Sequence, residues 1–288
     1  MKLSAFDYAC PATVAEAVAL LAAHGGDAKP IAGGQSLVPM LAFRLAAPTL
    51  LVDLRKLDEL RDITIGDRGV TLGAMVRWRD ILERPRLRQA HPLLTAAVRH
   101  IAHYQIRNRG TVGGGLAHAD PAAELPCIAV TCEAEIVALG PKGRHVITAA
   151  EFFRGALLTA LQPDEIITEI RFPAWPRDRR FGFREFARRR GDFALAAAAV
   201  CFDVVKQKLR NVRVGAIGAA DRPMRLAAAE SVLEAHDMTE ARIGAGATAA
   251  AGAVDPADDI HASGAYRKTL IGVMVERALR DAMTGPIV

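Results

Sequence analysis

The chain has 288 residues, of which 51% are hydrophobic and 5% aromatic, and its formal net charge is +5. This length is enough for two domains with a sizeable buried core. No apolar run is long enough to span a bilayer, the N-terminus lacks a secretory signal pattern, and the basic stretch 171–190 contains no recognisable nucleic-acid-binding module. We therefore expect a cytoplasmic protein that binds no nucleic acid and has no membrane span.

The first half of the chain alternates short helices with short strands. A capping box at Thr13 and Glu16 opens a helix that Gly25 ends, and residues 50–54 predict a strand. Further predicted elements are a helix from Pro92 to His103, hairpins within 63–73 and 133–147, and a strand over 165–172. This alternation does not fit doubly wound βαβ units, so we expect an α+β protein.

The second half has the pattern of strands followed by helices. The segment FPAWPRDRR, residues 172–180, carries two Pro and a charge run, which predicts a linker. Strands are predicted over 193–205 and 212–219, with Ala-rich helices after them. A GxGxxA pattern within 244–249 lacks a preceding buried strand. We interpret it as a site of close helix packing and not as a dinucleotide site.

The potential metal ligands do not form a recognisable site. The cysteines occur without CxxC spacing, which excludes a zinc ribbon or an iron–sulfur site readable from the sequence. His118 lies close to Asp120, but such a histidine is more often a structural residue. We therefore predict no metal site in this chain, and we assign no residues to substrate catalysis. The cysteines are Cys10, Cys127, Cys132 and Cys201.

The most informative features are two glycine-centred segments, IAGGQSLVP (31–39) and TVGGG (111–115). Residues without a Cβ let backbone N–H groups approach an anion closely, and two such segments suggest a diphosphate held from two sides. Neither segment ends in the Lys-Ser/Thr of a Walker loop, and neither contains the GxGxxG of a dinucleotide fold. The common nucleotide loops are therefore excluded.

The two segments resemble the paired FAD-binding motifs of the medium, or flavoprotein, subunit of the molybdenum hydroxylases, a family that includes carbon monoxide dehydrogenase and xanthine dehydrogenase. The resemblance extends to QIRNRG before the second motif, to AHADPAAELP after it and to RRRGDFALA in the last third. It implies a two-part FAD-binding domain of the vanillyl-alcohol-oxidase (PCMH) type over 1–175, with subdomains of about 1–56 and 57–175. A smaller α+β C-terminal domain would occupy 176–288.

The resemblance also implies a function. This chain would hold FAD noncovalently, beside a large subunit with a molybdenum cofactor and a small subunit with 2Fe-2S clusters, as a dimer of heterotrimers. Electrons would pass from the iron–sulfur clusters through FAD to an external acceptor. The large subunit would select the substrate, which stays open here. A self-contained FAD-dependent oxidase or dehydrogenase is the alternative, and a non-catalytic nucleotide-binding module is a third class.

The resemblance assigns a flavin site residue by residue. The first motif would hold the diphosphate through its N–H groups and the Ser36 hydroxyl, and the second would close over the flavin. Glu124 would accept a hydrogen bond from ribose or adenine, while Asp120 could equally form an Asx turn. Leu161 would lie against the ring system. Ile101, which precedes the second motif, would also belong to the site. Without the resemblance, both would be interpreted as core residues. The predicted set is Ala32, Gly33, Gly34, Gln35, Ser36, Ile101, Thr111, Val112, Gly113, Gly114, Gly115, Asp120, Glu124 and Leu161.

One position departs from the family pattern. Several members place a Lys near the flavin edge, in the segment before a Gly-Asp motif, and Glu185 occupies that place here. An ionised carboxylate cannot donate a hydrogen bond to reduced flavin, so this exchange bears on the redox potential and on the acceptor. Asp192 and Phe193 match a Gly-Asp-aromatic motif near the ring, or else mark the start of a strand.

Overall fold

The computed structural model describes residues 2–284, and its N-terminal part (7–53) is a small parallel sheet. The strands pair in the order β1-β3-β2, where the elements are β1 (Asp7–Ala9), α1 (Val14–Ala23), β2 (Ala28–Ile31), α2 (Leu37–Ala42) and β3 (Leu50–Asp53). The Thr13 hydroxyl accepts a hydrogen bond from Glu16 N and so begins α1, as predicted. The apolar stripe of α1 then packs into the core of this part.

The middle part (63–173) is an antiparallel sheet covered by short helices. Its strands follow the order β4-β5-β10-β6-β7, and the predicted hairpins and final strand are confirmed. The elements are β4 (Ile63–Gly66), β5 (Gly69–Gly73), α3 (Trp78–Leu82), α4 (Pro85–Ala90), α5 (Pro92–Val98), α6 (Tyr104–Arg107), α7 (Val112–His118), α8 (Glu124–Thr131), β6 (Glu135–Gly140), β7 (Gly143–Thr148), α9 (Ala149–Phe152), β8 (Phe153–Gly155), β9 (Leu158–Thr159) and β10 (Ile166–Pro173).

Two sequence predictions in this part were wrong in detail. The helix expected from Pro92 to His103 already ends at Val98, and in the turn that follows Ala102 adopts a left-handed φ of 43°. The Arg107 guanidinium fixes this turn by donating to the carbonyl oxygens of Ile101 and Ala102, both at 2.8 Å. The second glycine motif is also not a loop, since its glycines form the first turns of α7.

The C-terminal part (180–284) is an antiparallel sheet backed by helices, as the strand-then-helix pattern predicted. The strand expected over 193–205 begins one residue later, at Ala194, so Phe193 lies outside it and is 73% exposed. The sheet has the order β11-β12-β13-β14. The elements are β11 (Arg180–Ala187), β12 (Ala194–Val205), β13 (Lys208–Ile217), β14 (Met224–Arg225), α10 (Ala227–Leu233), α11 (Glu240–Gly252) and α12 (Gly264–Thr284).

The alanines of β12 are explained by burial on both faces of the strand. Successive side chains point to opposite faces of a sheet. Ala197, Ala199 and Cys201 belong to the core of the middle part, whereas Ala196 and Ala198 belong to the core beneath α12. Small side chains on both faces therefore let helices approach this strand from two sides.

The glycines of the GxGxxA pattern lie in α11, as the packing interpretation predicted.

Helix α8 joins the middle part to the C-terminal part. All eight of its residues are buried, and the helix packs against β12 and β13. Gly215 of β13 faces the Thr131 hydroxyl at a position where a Cβ would collide with it. That hydroxyl is fixed, because it donates to the Cys127 carbonyl oxygen at 2.7 Å. The two parts therefore share one packed seam.

A pair of carboxyl groups is buried in this seam. Glu124 begins α8, and Glu185 lies on β11 with a side chain that is 5% exposed. Within the described residues, Glu185 Oε2 has no hydrogen-bond partner, and Oε1 lies 3.9 Å from His100 Nδ1. Burial, together with the nearby Glu124 charge, raises the pKa of Glu185 to about 8. Burial also raises the pKa of Glu124 to about 7 and lowers the pKa of His100.

This pair should make stability depend on pH, and Glu185→Gln should weaken that dependence. A carboxyl whose pKa is raised on folding contributes stability that is complete below its unfolded pKa of about 4.5 and is lost as the pH rises through the folded pKa of about 8. Glutamine stays neutral, so the variant should gain in thermal midpoint over the wild type as the pH increases from 5 to 8. Calorimetry across this range measures the difference.

Glu135→Gln is the matched control, because Glu135 is exposed at the start of β6. Its midpoint should follow the wild type at every pH. A Glu185→Gln midpoint that differs from the wild type by the same amount at pH 5 and pH 8 would contradict the buried-pair interpretation.

Candidate functional site

A cavity of about 480 Å³ lies between the N-terminal and middle parts. Its walls come from the segment after β2, from α7 and from the β8–β10 region. Ten of the predicted site residues line it: Ala32, Gly33, Gly34, Gln35, Ser36, Thr111, Gly113, Gly114, Gly115 and Leu161. The fold therefore brings the two glycine motifs, distant in sequence, to one cavity.

The first motif is a tight turn that leaves backbone donors unused. Gly34 has a φ of +73°, a left-handed conformation that favours glycine. Among the described residues, the N–H groups of Gly34, Gln35 and Ser36 donate to no other protein group, and the Ser36 hydroxyl makes no capping bond to α2. Gln35 Nε2 donates to the Gly33 carbonyl oxygen at 2.9 Å and so braces the turn. The turn can therefore offer several hydrogen bonds to an anion in the cavity.

The two motifs are held together by direct backbone packing. A Cβ on Gly33 would overlap the carbonyl oxygen of Arg109, and Gly110 Cα lies next to the same point. Because only glycine lacks this atom, the first motif can rest on the turn that leads into the second. The relative position of the two cavity walls therefore depends on Gly33.

The second motif uses its backbone donors within the protein. The N–H groups of Val112 and Gly113 donate to the carbonyl oxygens of Val76 and Ala74, at 2.9 and 2.8 Å. The Thr111 hydroxyl caps α7 by accepting from Gly114 N at 3.2 Å. We expected both motifs to offer N–H groups to a diphosphate. In the structure, the unused donors lie in the first motif, whereas the second supplies a surface without side chains.

The glycines of the second motif have different roles in packing. A Cβ on Gly113 would lie 2.6 Å from Ala74 Cβ, and one on Gly115 would lie 2.8 Å from Trp78 Cζ2. These two glycines therefore allow α7 to sit closely against the β5–α3 segment. Gly114 is exposed, and a Cβ there would lie 2.9 Å from Thr111 Oγ1 and 3.8 Å from Ala32 Cβ. It is the glycine that faces the opposite wall of the cavity.

The remaining wall is largely apolar. Leu157 and Leu158, both more than half exposed, line the cavity beside Leu161. The Leu161 N–H donates to Thr159 Oγ1 at 3.3 Å, which fixes the turn after β9. Lys29 supplies a cationic side chain to the same cavity. A ligand with one anionic and one flat apolar portion fits this division of polar and apolar walls.

Four predicted site residues do not line the cavity. Val112 is the first residue of α7 and is fully buried, and Ile101 packs against the core of the middle part. Asp120 Oδ1 accepts from Ala122 N at 2.8 Å, which is the Asx turn considered from the sequence. Glu124 lies in the seam described above.

Several lining residues were not predicted from the sequence. Trp78 and Ile106 lie on the short helices α3 and α6, which the sequence patterns did not predict. Leu157 lies in a connection between two short strands that the sequence did not reveal, where it adopts a φ of 57°. No sequence pattern marked Leu157 as a site residue, apart from its closeness to Leu161 in the chain. Lining residues outside the predicted site include Lys29, Met40, Met75, Trp78, Ile106, Leu157, Leu158, Thr159, Gln162 and Glu165.

Two absences apply to residues 2–284. In that range, no cluster of three or more His, Cys, Asp or Glu side chains is arranged to hold a metal ion. Over the same range, no helix has the length and apolar character needed to cross a membrane.

Comparisons with known proteins match both parts of the chain. Residues 4–175 match the family model described as the FAD binding domain in molybdopterin dehydrogenase, and residues 181–282 match the CO dehydrogenase flavoprotein C-terminal domain. The nicotine 6-hydroxylase medium subunit of Paenarthrobacter nicotinovorans is 39% identical over 283 residues, covering 98% of this chain and 99% of the relative. The carbon monoxide dehydrogenase medium chain of Hydrogenophaga pseudoflava is 36% identical over 277 residues, covering 96% of each.

Solved structures agree over the full length. A carbon monoxide dehydrogenase from Hydrogenophaga pseudoflava aligns with a TM-score of 0.96 and 37% identity, covering 99% of each chain. A quinoline 2-oxidoreductase from Pseudomonas putida 86 aligns with a TM-score of 0.95 and 34% identity, covering 100% of each. The predicted family, the α+β class and the two-domain architecture are thereby confirmed. The chain belongs to the FAD-binding medium subunits of the molybdenum hydroxylases, oxidoreductases in which it is the two-domain flavoprotein component.

Proposed function

We propose that this chain holds FAD noncovalently in the cavity and passes electrons from iron–sulfur clusters of a small partner subunit to an external acceptor. A large partner subunit with a molybdenum cofactor would oxidise the substrate, and the complex would be a dimer of heterotrimers. The observation that carries the proposal is the pairing of unused N–H groups at Gly34 to Ser36 with an apolar, side-chain-poor opposite wall. When bound, FAD supplies a centre that exchanges electrons with both one-electron and two-electron partners.

The chain's own residues would divide the work of binding. The N–H groups of the first motif and the Ser36 hydroxyl would donate to the diphosphate oxygens, because a phosphate removed from water is costly without donors. The exposed face of Gly114 would let the cofactor lie close to α7. Leu157, Leu158 and Leu161 would cover its apolar portion and exclude water. Val112, buried at the start of α7, would position that helix against the cofactor.

The other site assignments rest on the resemblance to the family. Ile101, Asp120 and Glu124 lie toward the seam between the middle and C-terminal parts, outside the cavity lining. We propose them as contacts of FAD beyond the cavity edge. Glu185 shares this seam, so its raised pKa would keep a protonated carboxyl near that edge at neutral pH.

We propose the domain boundaries at 1–175 and 176–288, with subdomains of about 1–56 and 57–175. Support comes from the gap between β10, which ends at Pro173, and β11, which begins at Arg180. The parallel N-terminal sheet ends at Asp53, and the antiparallel sheet begins at Ile63. These breaks agree with the proposed divisions.

Gly114→Val should greatly reduce FAD loading while the chain stays folded. The added side chain would project toward Ala32 across the cavity, and its one close neighbour in the protein is Thr111 Oγ1, so the cost to folding is confined to the cap of α7. Flavin released into the supernatant by acid precipitation, measured per chain, reports the loading. Gly244→Val is the matched control, since Gly244 lies in a helix with no neighbouring atom near its Cβ position. Wild-type FAD content in Gly114→Val would remove the second motif from the site.

Ser36→Ala should weaken FAD binding more mildly. It removes one hydrogen bond to a charged acceptor, worth about 1.5 kcal/mol, and so should raise the FAD dissociation constant roughly tenfold. Flavin fluorescence during titration of the apoprotein measures the constant. Ser231→Ala, which removes a hydroxyl bonded within α10, should leave it unchanged. If Ser36→Ala binds as tightly as the wild type, Ser36 does not contact the diphosphate.

The isolated chain should bind FAD without being reduced by organic substrate. The same chain expressed with its two partner subunits should co-purify with iron and molybdenum, and substrate should then bleach the flavin absorbance. The tests use carbon monoxide, aldehydes and N-heterocycles, with dithionite as the control that the bound flavin can be reduced. Rapid bleaching of the isolated chain by one of these substrates would instead support a self-contained flavoenzyme.

A further inference from the structure

A second, small cavity of about 40 Å³ lies in the seam between the middle and C-terminal parts. Side chains that line it include His91, Cys132, Trp175, Arg179, Cys201 and Arg213. A cavity needs a volume of roughly 10–15 Å³ to hold one water molecule. The seam cavity therefore has room for a molecule of two heavy atoms. Its lining combines thiols, a buried imidazole and guanidinium groups.

The two thiols come from different parts of the chain and meet at this one cavity. Cys132 follows α8, and Cys201 lies on β12, where its side chain points toward α8. Both line the cavity and are 8% and 1% exposed. Glu133, the residue after Cys132, accepts a 3.0 Å hydrogen bond from Arg213, which is the cross-strand partner of Cys201. This link holds the two thiols side by side, as a disulfide requires after a small adjustment.

The charges around the pair distinguish the two sulfur atoms. The hydrogen bond from Cys132, followed by the positive charges of Arg179, Arg213 and Arg225, lowers the pKa of Cys201. Arg179 is held by a two-point ion pair with Asp203, with both distances 2.9 Å. Arg213 also lies directly opposite Cys201 in the β12–β13 ladder, so the surrounding positive charge favours ionisation at Cys201 over Cys132.

His91 offers the cavity a hydrogen-bond donor that the protein does not use. Its Nδ1 accepts from Leu94 N at 3.2 Å as the cap of α5, so the neutral ring carries its proton on Nε2. Within the described chain, Nε2 is buried and has no partner. Burial lowers the pKa of His91 to about 3, so the ring stays neutral. An unused N–H in a cavity with a thiolate suits a small polar molecule that accepts hydrogen bonds.

We propose that this cavity is a peroxide-reactive site, in which hydrogen peroxide oxidises Cys132 and Cys201 to a disulfide that links the two parts of the chain. The Cys201 thiolate attacks one peroxide oxygen, the O–O bond breaks, and Cys201 becomes a sulfenic acid. His91 Nε2–H stabilises the leaving hydroxide, which takes up a proton and becomes water. The Cys132 sulfur then attacks the Cys201 sulfur, the S–O bond breaks, and a second water leaves. Two electrons pass from the thiols to the peroxide.

Peptide mapping of the full chain tests the proposal directly. The protein is exposed to hydrogen peroxide, denatured, alkylated and digested without reduction. We expect a peptide that joins Cys132 to Cys201 and the loss of two alkylation sites. In Cys132→Ser, dimedone should trap a sulfenic acid at Cys201, since the resolving thiol is gone. Cys10→Ser should form the disulfide at the wild-type rate, because Cys10 lies elsewhere, in the N-terminal part.

His91→Asn separates the peroxide site from the thiol pair. Asparagine keeps a cap for α5, but it is too short to carry a donor into the cavity. Oxidation by hydrogen peroxide should slow about tenfold, which corresponds to one lost hydrogen bond to a developing charge. In denaturant, where the cavity is lost, the variant and the wild type should be oxidised by hydrogen peroxide at the same rate.

Three results would overturn the proposal. Wild-type thiols that both stay open to alkylation after peroxide, or oxidation at Cys10 alone, would make the cavity a structural water site. An equal rate of peroxide oxidation in the folded wild type and in folded His91→Asn would assign the imidazole a purely structural role. The wild-type peptide map decides the question even if a variant fails to fold.

Discussion

The candidate site depends on one close backbone contact, the approach of Gly33 to the Arg109–Gly110 turn. A hydrogen atom in place of a Cβ lets two segments from different sheets meet at this point. The unused N–H groups of the first motif and the exposed face of α7 then stand on opposite sides of one cavity. Nothing else in the sequence of either motif requires them to be neighbours. The contact is therefore a constraint of packing that produces a site.

A second constraint operates where helix α8 is enclosed. Its burial on every side requires small residues in the strands that receive it, which β12 supplies as alanines and β13 as Gly215. The same enclosure removes Glu124 and Glu185 from water and brings Cys132 and Cys201 to one cavity. The pKa values of titratable groups in this seam thus differ from their ordinary values because of the way the backbone packs. The seam and the cavity are consequences of the same reliance on small side chains.

The sequence predicted the fold class, the hairpins and the two glycine motifs because these depend on local patterns. Turn residues flanking β-rich runs identify hairpins, and glycine pairs identify tight turns. It did not predict that the second motif forms the start of a helix, since three successive glycines are poor helix formers on their own. Packing against Ala74 and Trp78 overrides that preference. The end of α5 was missed for a similar reason, because the hydrogen bonds from Arg107 that shape the turn join residues several positions apart.

The enclosure of α8 has a consequence for how such a protein can evolve. Genes that encode modular proteins often gain or lose a domain at an exposed linker, and the segment 174–179 offers one here. Separating the domains there would expose the eight-residue apolar helix α8 on one fragment and the alanine side chains of β12 on the other. Neither surface is suited to water, so the two domains must be inherited, synthesised and folded as a unit. Exchange of a single domain with another flavoprotein would need matched changes on both sides of the seam.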